Sequence, residues 1–92
     1  MQVFSVRDKA VGAFLQPFYA RSRGEAMRSF IDAMADGNHA FEKHPEDYDL
    51  YYLGDFDEEK GVFNDPEGVK VVSSPMNIMS GLSAAEIVKN QM

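Results

Sequence analysis

Residues 22 to 37, SRGEAMRSFIDAMADG, constrain the fold most, because they read as one amphipathic helix set between stretches of β character. Ser22 and Glu25 have the S-x-x-E spacing of a capping box, which satisfies two orphan N–H groups at a helix start. Met27, Phe30, Ile31 and Met34 recur at intervals of three and four and form a single apolar stripe. Gly37 after Asp36 suits a left-handed C-cap, so the spacing predicts a helix over about 23 to 36.

The flanks are strands. QVFSVRD is β-rich, and after the connector KAVGA the run FLQPFYA returns antiparallel to it, with Pro17 at an edge or bulge because it has no N–H to donate. NHAFEKHPEDY is a connecting segment with room for a helical turn, broken at Pro45. DLYYLGDF alternates, with Leu50, Tyr52 and Phe56 on one face and Tyr51, Leu53 and Asp55 on the other. DEEKG is a polar turn, and VFND pairs back to close a second hairpin. The fold class is therefore α+β, a small antiparallel sheet of two hairpins around one helix in the order β-β-α-β-β. The reading divides the chain into a core domain over 1–66 and a C-terminal extension over 67–92. VKVV at 69–72 is a further candidate strand, and GLSAAEIVKNQM a short terminal helix with a second capping box, Ser83 and Glu86, and a Leu82–Ile87 staple.

Ninety-two residues that are 45% hydrophobic and 12% aromatic make one folded domain of a size at which self-association is a common remedy for marginal stability. The absence of Cys removes disulfides, thiol nucleophiles and Cys-based zinc sites. No stretch approaches the ~18 apolar residues of a membrane span, and the first residues lack the pattern of an export signal, so a soluble, unexported protein is expected. The net charge of -6 is uneven: residues 1–44 hold six Lys or Arg against five Asp or Glu, and residues 45–92 hold three against ten.

The densest charge is Glu46, Asp47, Asp49, Asp55, Asp57, Glu58 and Glu59. DFDEEKGVFNDP fails as a calcium loop because Lys stands where the central Gly belongs and the closing Glu is missing. These acids read as the solvated end of a hairpin, where charge blocks edge-to-edge pairing. His39 and His44 do not share a helix face and read as ordinary connector histidines, so no metal site and no cofactor is expected. No G-x-S-x-G stretch and no Gly-rich phosphate loop occurs, and the chain is not expected to be an enzyme.

One constellation has a binding mechanism. In PFYARSRGEAMR, Phe18 and Tyr19 offer stacking faces, while Arg21, Arg23 and Arg28, with Arg7 on the neighbouring strand, are placed to neutralise phosphates near a helix N-terminus. The competing structural reading makes Phe18 or Tyr19 part of the core and pairs the arginines with Glu25 and Asp32 along the helix.

FSVRD, PFYARSRGEAMRSF, KHPEDYDLYYLGDFDEEKG and the following VF, in that order over residues 1 to 64, resemble the small nonstructural protein of gokushoviruses, the single-stranded DNA phages of the Microviridae. The resemblance implies a non-capsid protein of the infected bacterial cytoplasm that supports single-stranded DNA synthesis, and it brings no catalytic residues with it. It favours Arg7, Phe18, Tyr19, Arg21, Arg23 and Arg28 as a single-strand surface, doubled in a homodimer for which Met76, Met79, Ile87, Val88 and Met92 offer apolar material. The acidic second half supports a different expectation, an adaptor that engages a phage replication protein or a host factor without touching DNA. The charge of the acidic hairpin places any DNA surface away from it, toward the arginines that lead into the first helix.

Overall fold

The computed structural model describes residues 1–36, 39–64 and 75–91, with the side chain of His39 excepted. Among the described residues six antiparallel strands and three helices follow in the order β1 (Gln2–Asp8), β2 (Ala13–Phe14), β3 (Phe18–Ala20), α1 (Arg23–Ala35), α2 (His39–Lys43), β4 (Tyr48–Asp57), β5 (Val62–Asn64), β6 (Met76–Ser80) and α3 (Gly81–Asn90), with a 3₁₀ turn over Pro45–Asp47. The expected Gly37 cap and the strand at 69–72 lie outside the described residues.

β1 and β4 are the two long central strands, paired from Gln2–Asp55 to Asp8–Tyr48. Each outer edge is shared by two short strands. β3 lies against the first half of β1 and β2 against its end. β6 lies against the first half of β4 and β5 against its end. The expected single return strand FLQPFYA is thus two, separated at Leu15–Pro17, where the proline cannot donate to the ladder. Both hairpin turns use one device: Asp8 and Asp57 each accept two backbone N–H groups through Oδ1, and a glycine at positive φ, Gly12 or Gly61, closes the turn.

The helices build one core on one face of the sheet. Phe4 and Val6 of β1 and Tyr48, Leu50 and Tyr52 of β4 meet Ala26, Phe30 and Met34 of α1, Phe41 of α2 and Ala84 of α3. α1 starts as its spacing predicts, with the Ser22 hydroxyl accepting from the Glu25 N–H at 3.1 Å. The alternation expected in β4 holds only as far as Tyr52. Between Val3/Gly54 and Phe4/Tyr52 the register shifts, leaving Leu53 as the extra residue of a β-bulge. Beyond it the faces exchange: Asp55 joins Tyr52 on the helical side and Phe56 turns to the far side, opposite to the expected placement.

The C-terminal segment, expected as an extension, joins this same sheet and core. β6 was not anticipated; Met79 pairs with Leu50 on β4, and Ile78, Met79 and Val88 pack against the core, while Met76 is exposed and Met92 lies outside the described residues. α3 starts three residues before the helix that a Ser83 cap predicts. Its N-cap is Ser80, whose hydroxyl accepts from the Ser83 N–H at 3.1 Å, and Leu82 is 60% exposed rather than stapled. The buried carboxylate of Asp49 holds this end together: its Oδ2 accepts from Asn77 Nδ2 at 3.2 Å and pairs with Lys9 Nζ at 3.3 Å, and its Oδ1 accepts from the Gly81 N–H at 3.4 Å.

Gly81 is the tightest approach. A Cβ there would overlap the carbonyl oxygens of Pro45 and Tyr48, which are backbone and cannot swing away. Gly81→Ala is expected to cost about 3 kcal/mol or more, at the upper end of overpacking costs, read as a lowered urea midpoint. Gly24→Ala, whose nearest neighbour is the Ser22 hydroxyl at 3.8 Å, should leave the midpoint little changed or slightly raised.

Candidate nucleic-acid interface

Strand alternation divides the expected site between the two faces of the sheet. Phe18 faces the helices and packs on Phe4 with ring centroids 5.9 Å apart. Arg23 lies over the Tyr52 ring at 4.9 Å, also on the helical side. Arg28, on α1, lines a cleft with Met27, Asp32 and Met79. Tyr19, Arg21 and Arg7 belong to the far face, against which no described helix packs. The six residues therefore do not form one surface, and the structural reading holds for Phe18.

The far face instead gathers aromatic residues that sequence reading did not assign to a site. Tyr19 lies 5.8 Å from Phe56, and Phe56 lies 4.8 Å from Phe63. Tyr19 and Phe63 are both about half exposed. At the other end of this face Phe14 meets Tyr51 edge-on at 5.2 Å, and the Arg7 guanidinium lies 5.2 Å from the Phe14 centroid. Arg21 lines a hollow with Tyr19, Phe56, Met1 and Glu58. Two aromatic groups, each with one arginine beside it, thus share one side of the sheet. The bulge creates the first group, because without it Phe56 would face the helices. A lone glycine inside a strand pattern is the sequence signal of such a bulge, and Gly54 supplied it.

The acidic hairpin is part of this face rather than remote from it, since Phe56 and Phe63 are its two strands. Several of its acids have structural partners. Asp57 caps the turn, Asp55 Oδ1 accepts from the Tyr52 hydroxyl at 2.8 Å, and Glu58 lies 3.5 Å from the N-terminal amine. His44, Glu46 and Asp47 on the 3₁₀ turn each present one donor atom within 4.8 Å of the others, His44 Nδ1 lying 3.6 Å from Glu46. His44 and Glu46 are exposed and Asp47 is half-buried.

On the helical side, Tyr52 is held protonated. Burial, then its hydrogen bond to Asp55 and the charge of that carboxylate, push its phenol up to about 12, and the Arg23 guanidinium opposes the shift. Burial, with the charges of Asp8 and Asp47, raises Tyr48 as well.

The family described as Phage ORF5 protein matches residues 1–83. No curated protein and no solved structure matches the chain.

Because the folded pKa of Tyr52 lies above the unfolded value of 10, its contribution to stability is complete below pH 10 and is lost as pH rises toward 12. Denaturation midpoints measured from pH 9 to 11.5 should fall in the wild-type chain and fall less steeply in Tyr52→Phe, with Tyr48 supplying the remaining slope.

Proposed function

We propose that this chain, which belongs to the Phage ORF5 protein family, binds single-stranded DNA through the far face of its sheet, without catalysing a reaction. The observation that carries the reading is the pairing on that face of exposed and half-buried rings with arginines: Tyr19 and Phe63, exposed, with half-buried Phe56 beside Arg21, and exposed Phe14 with half-buried Tyr51 beside Arg7. Single-strand binders combine these two elements, since every base has a π-face to stack and every nucleotide a phosphate to neutralise. The resemblance to the gokushovirus nonstructural protein supports the same role, in viral DNA synthesis in the host cytoplasm rather than in the virion. Of the residues expected from sequence, Arg7, Tyr19 and Arg21 carry it, while Phe18, Arg23 and Arg28 do not.

Two arginines on a chain of net charge -6 make a weak electrostatic footprint. A homodimer would present two such faces to one strand and gain avidity without new contacts. The second reading, an adaptor for a phage replication protein, is favoured by the uneven acidic charge, but several of those acids are engaged within the fold.

Fluorescence anisotropy with a labelled single strand separates the two. With two phosphate contacts per face, log affinity should fall with log salt at a slope of about -1.5. Tyr19→Ala combined with Phe63→Ala should lower affinity at least about tenfold, and Arg23→Ala with Arg28→Ala should leave it unchanged. Absence of binding at low salt, or sensitivity to the helical-side pair instead, would overturn the proposal.

A further inference from the structure

The far face also holds a hollow of about 230 Å³, lined by Val3, Pro17, Tyr19, Leu53, Gly54 and Phe63. It arises from the strand register. Tyr19 on β3 pairs with Val3 on β1, and Val3 pairs with Gly54 on β4, so across this row the fourth strand contributes no side chain. Gly54 holds φ +138°, in the glycine-favouring region, and is the residue beside the bulge that turns Phe56 outward. Phe63 then borders the space that the missing side chain leaves, its ring tilted against that of Phe56, which lines the neighbouring hollow instead.

Its size and chemistry limit what it can take. At about 230 Å³ it is smaller than the roughly 300–1,000 Å³ typical of pockets for drug-sized ligands. The walls are rings, aliphatic groups and proline, with no charged side chain among them, so a phosphate or a free sugar has nothing to bind. A flat, apolar-faced ring suits it. Tyr19 also lines the adjoining hollow, where Arg21 stands with the N-terminal residue and Glu58, whose carboxylate lies 3.5 Å from the N-terminal amine, so one aromatic wall separates an apolar slot from a charged one. That is the arrangement of a nucleotide, whose base and phosphate lie a few ångströms apart and differ in the same way.

We infer that the Gly54 hollow is a slot for one nucleobase of the bound strand, with the adjoining phosphate directed to Arg21. The inference rests on the single-strand reading above and adds its anchoring point. Asn64 also borders the hollow, but it follows Phe63 on β5 and by alternation directs its side chain to the other face. Among the described residues no side-chain amide then points into the slot to read a base edge, so it holds purines and pyrimidines by stacking with little discrimination.

The test uses the full chain and three eight-nucleotide probes: oligothymidylate, the same backbone with all bases removed, and that backbone with one thymine restored. The single thymine should raise affinity about tenfold over the base-free backbone, the value of one stacked base, and should shift the Val3 methyl and Gly54 amide resonances. Thymidine monophosphate should shift the same two residues, and deoxyribose phosphate should not. If oligothymidylate binds but the single thymine adds nothing and Val3 and Gly54 stay unmoved, the slot is wrong and the single-strand reading stands. If oligothymidylate itself does not bind, both fail.

Discussion

The β-bulge at Leu53–Gly54 is the feature on which the rest of the candidate site depends. An extra residue in one strand exchanges the faces of everything beyond it, because the side-chain period is two. Before the bulge, β4 gives Tyr48, Leu50 and Tyr52 to the helical core; after it, β4 gives Phe56 to the far face and Asp55 to the hydroxyl of Tyr52. The same residue that permits the bulge leaves the hollow beside Tyr19. One local irregularity thus separates a strand half that faces the helical core from a strand half whose Phe56 faces away from it.

That separation explains how a small domain leaves so many rings exposed. Its stability comes from the helical face, where α1, α2 and α3 cover β1 and β4, and from the end at which Asp49 gathers Lys9, Asn77 and the start of α3. The close contact of Gly81 with the 3₁₀ turn brings α3 against the sheet and makes the C-terminal segment part of the one core. Tyr19 and Phe63 lie outside this packing, so their substitution should affect binding more than folding.

Much of the fold was legible in local signals. The Ser22 cap, the α1 stripe, both Asp-to-Gly turns and the β1 and β4 strands follow from residue type and spacing. β6 was not legible, because MNIMS has a short, irregular pattern whose partner, Asp49–Tyr52, lies far away in sequence. The Ser83–Glu86 box was matched by motif, but the chain turns helical three residues earlier, where Gly81 can approach Pro45 and Tyr48 and Ser80 is left to cap. For the site, sequence proximity misled. Phe18 and Tyr19 are adjacent but point to opposite faces, and the rings that join Tyr19 come from residues 56 and 63, across the sheet.

The central claim is that DNA meets the far face of the sheet and not the helices. Photocrosslinking with a single strand carrying halogenated uracil, followed by peptide mapping, reads that contact directly. The account predicts adducts on Tyr19, Phe56 or Phe63, with none on α1 or α3. Adducts concentrated on the α1 peptide containing Arg23 and Arg28 would contradict it.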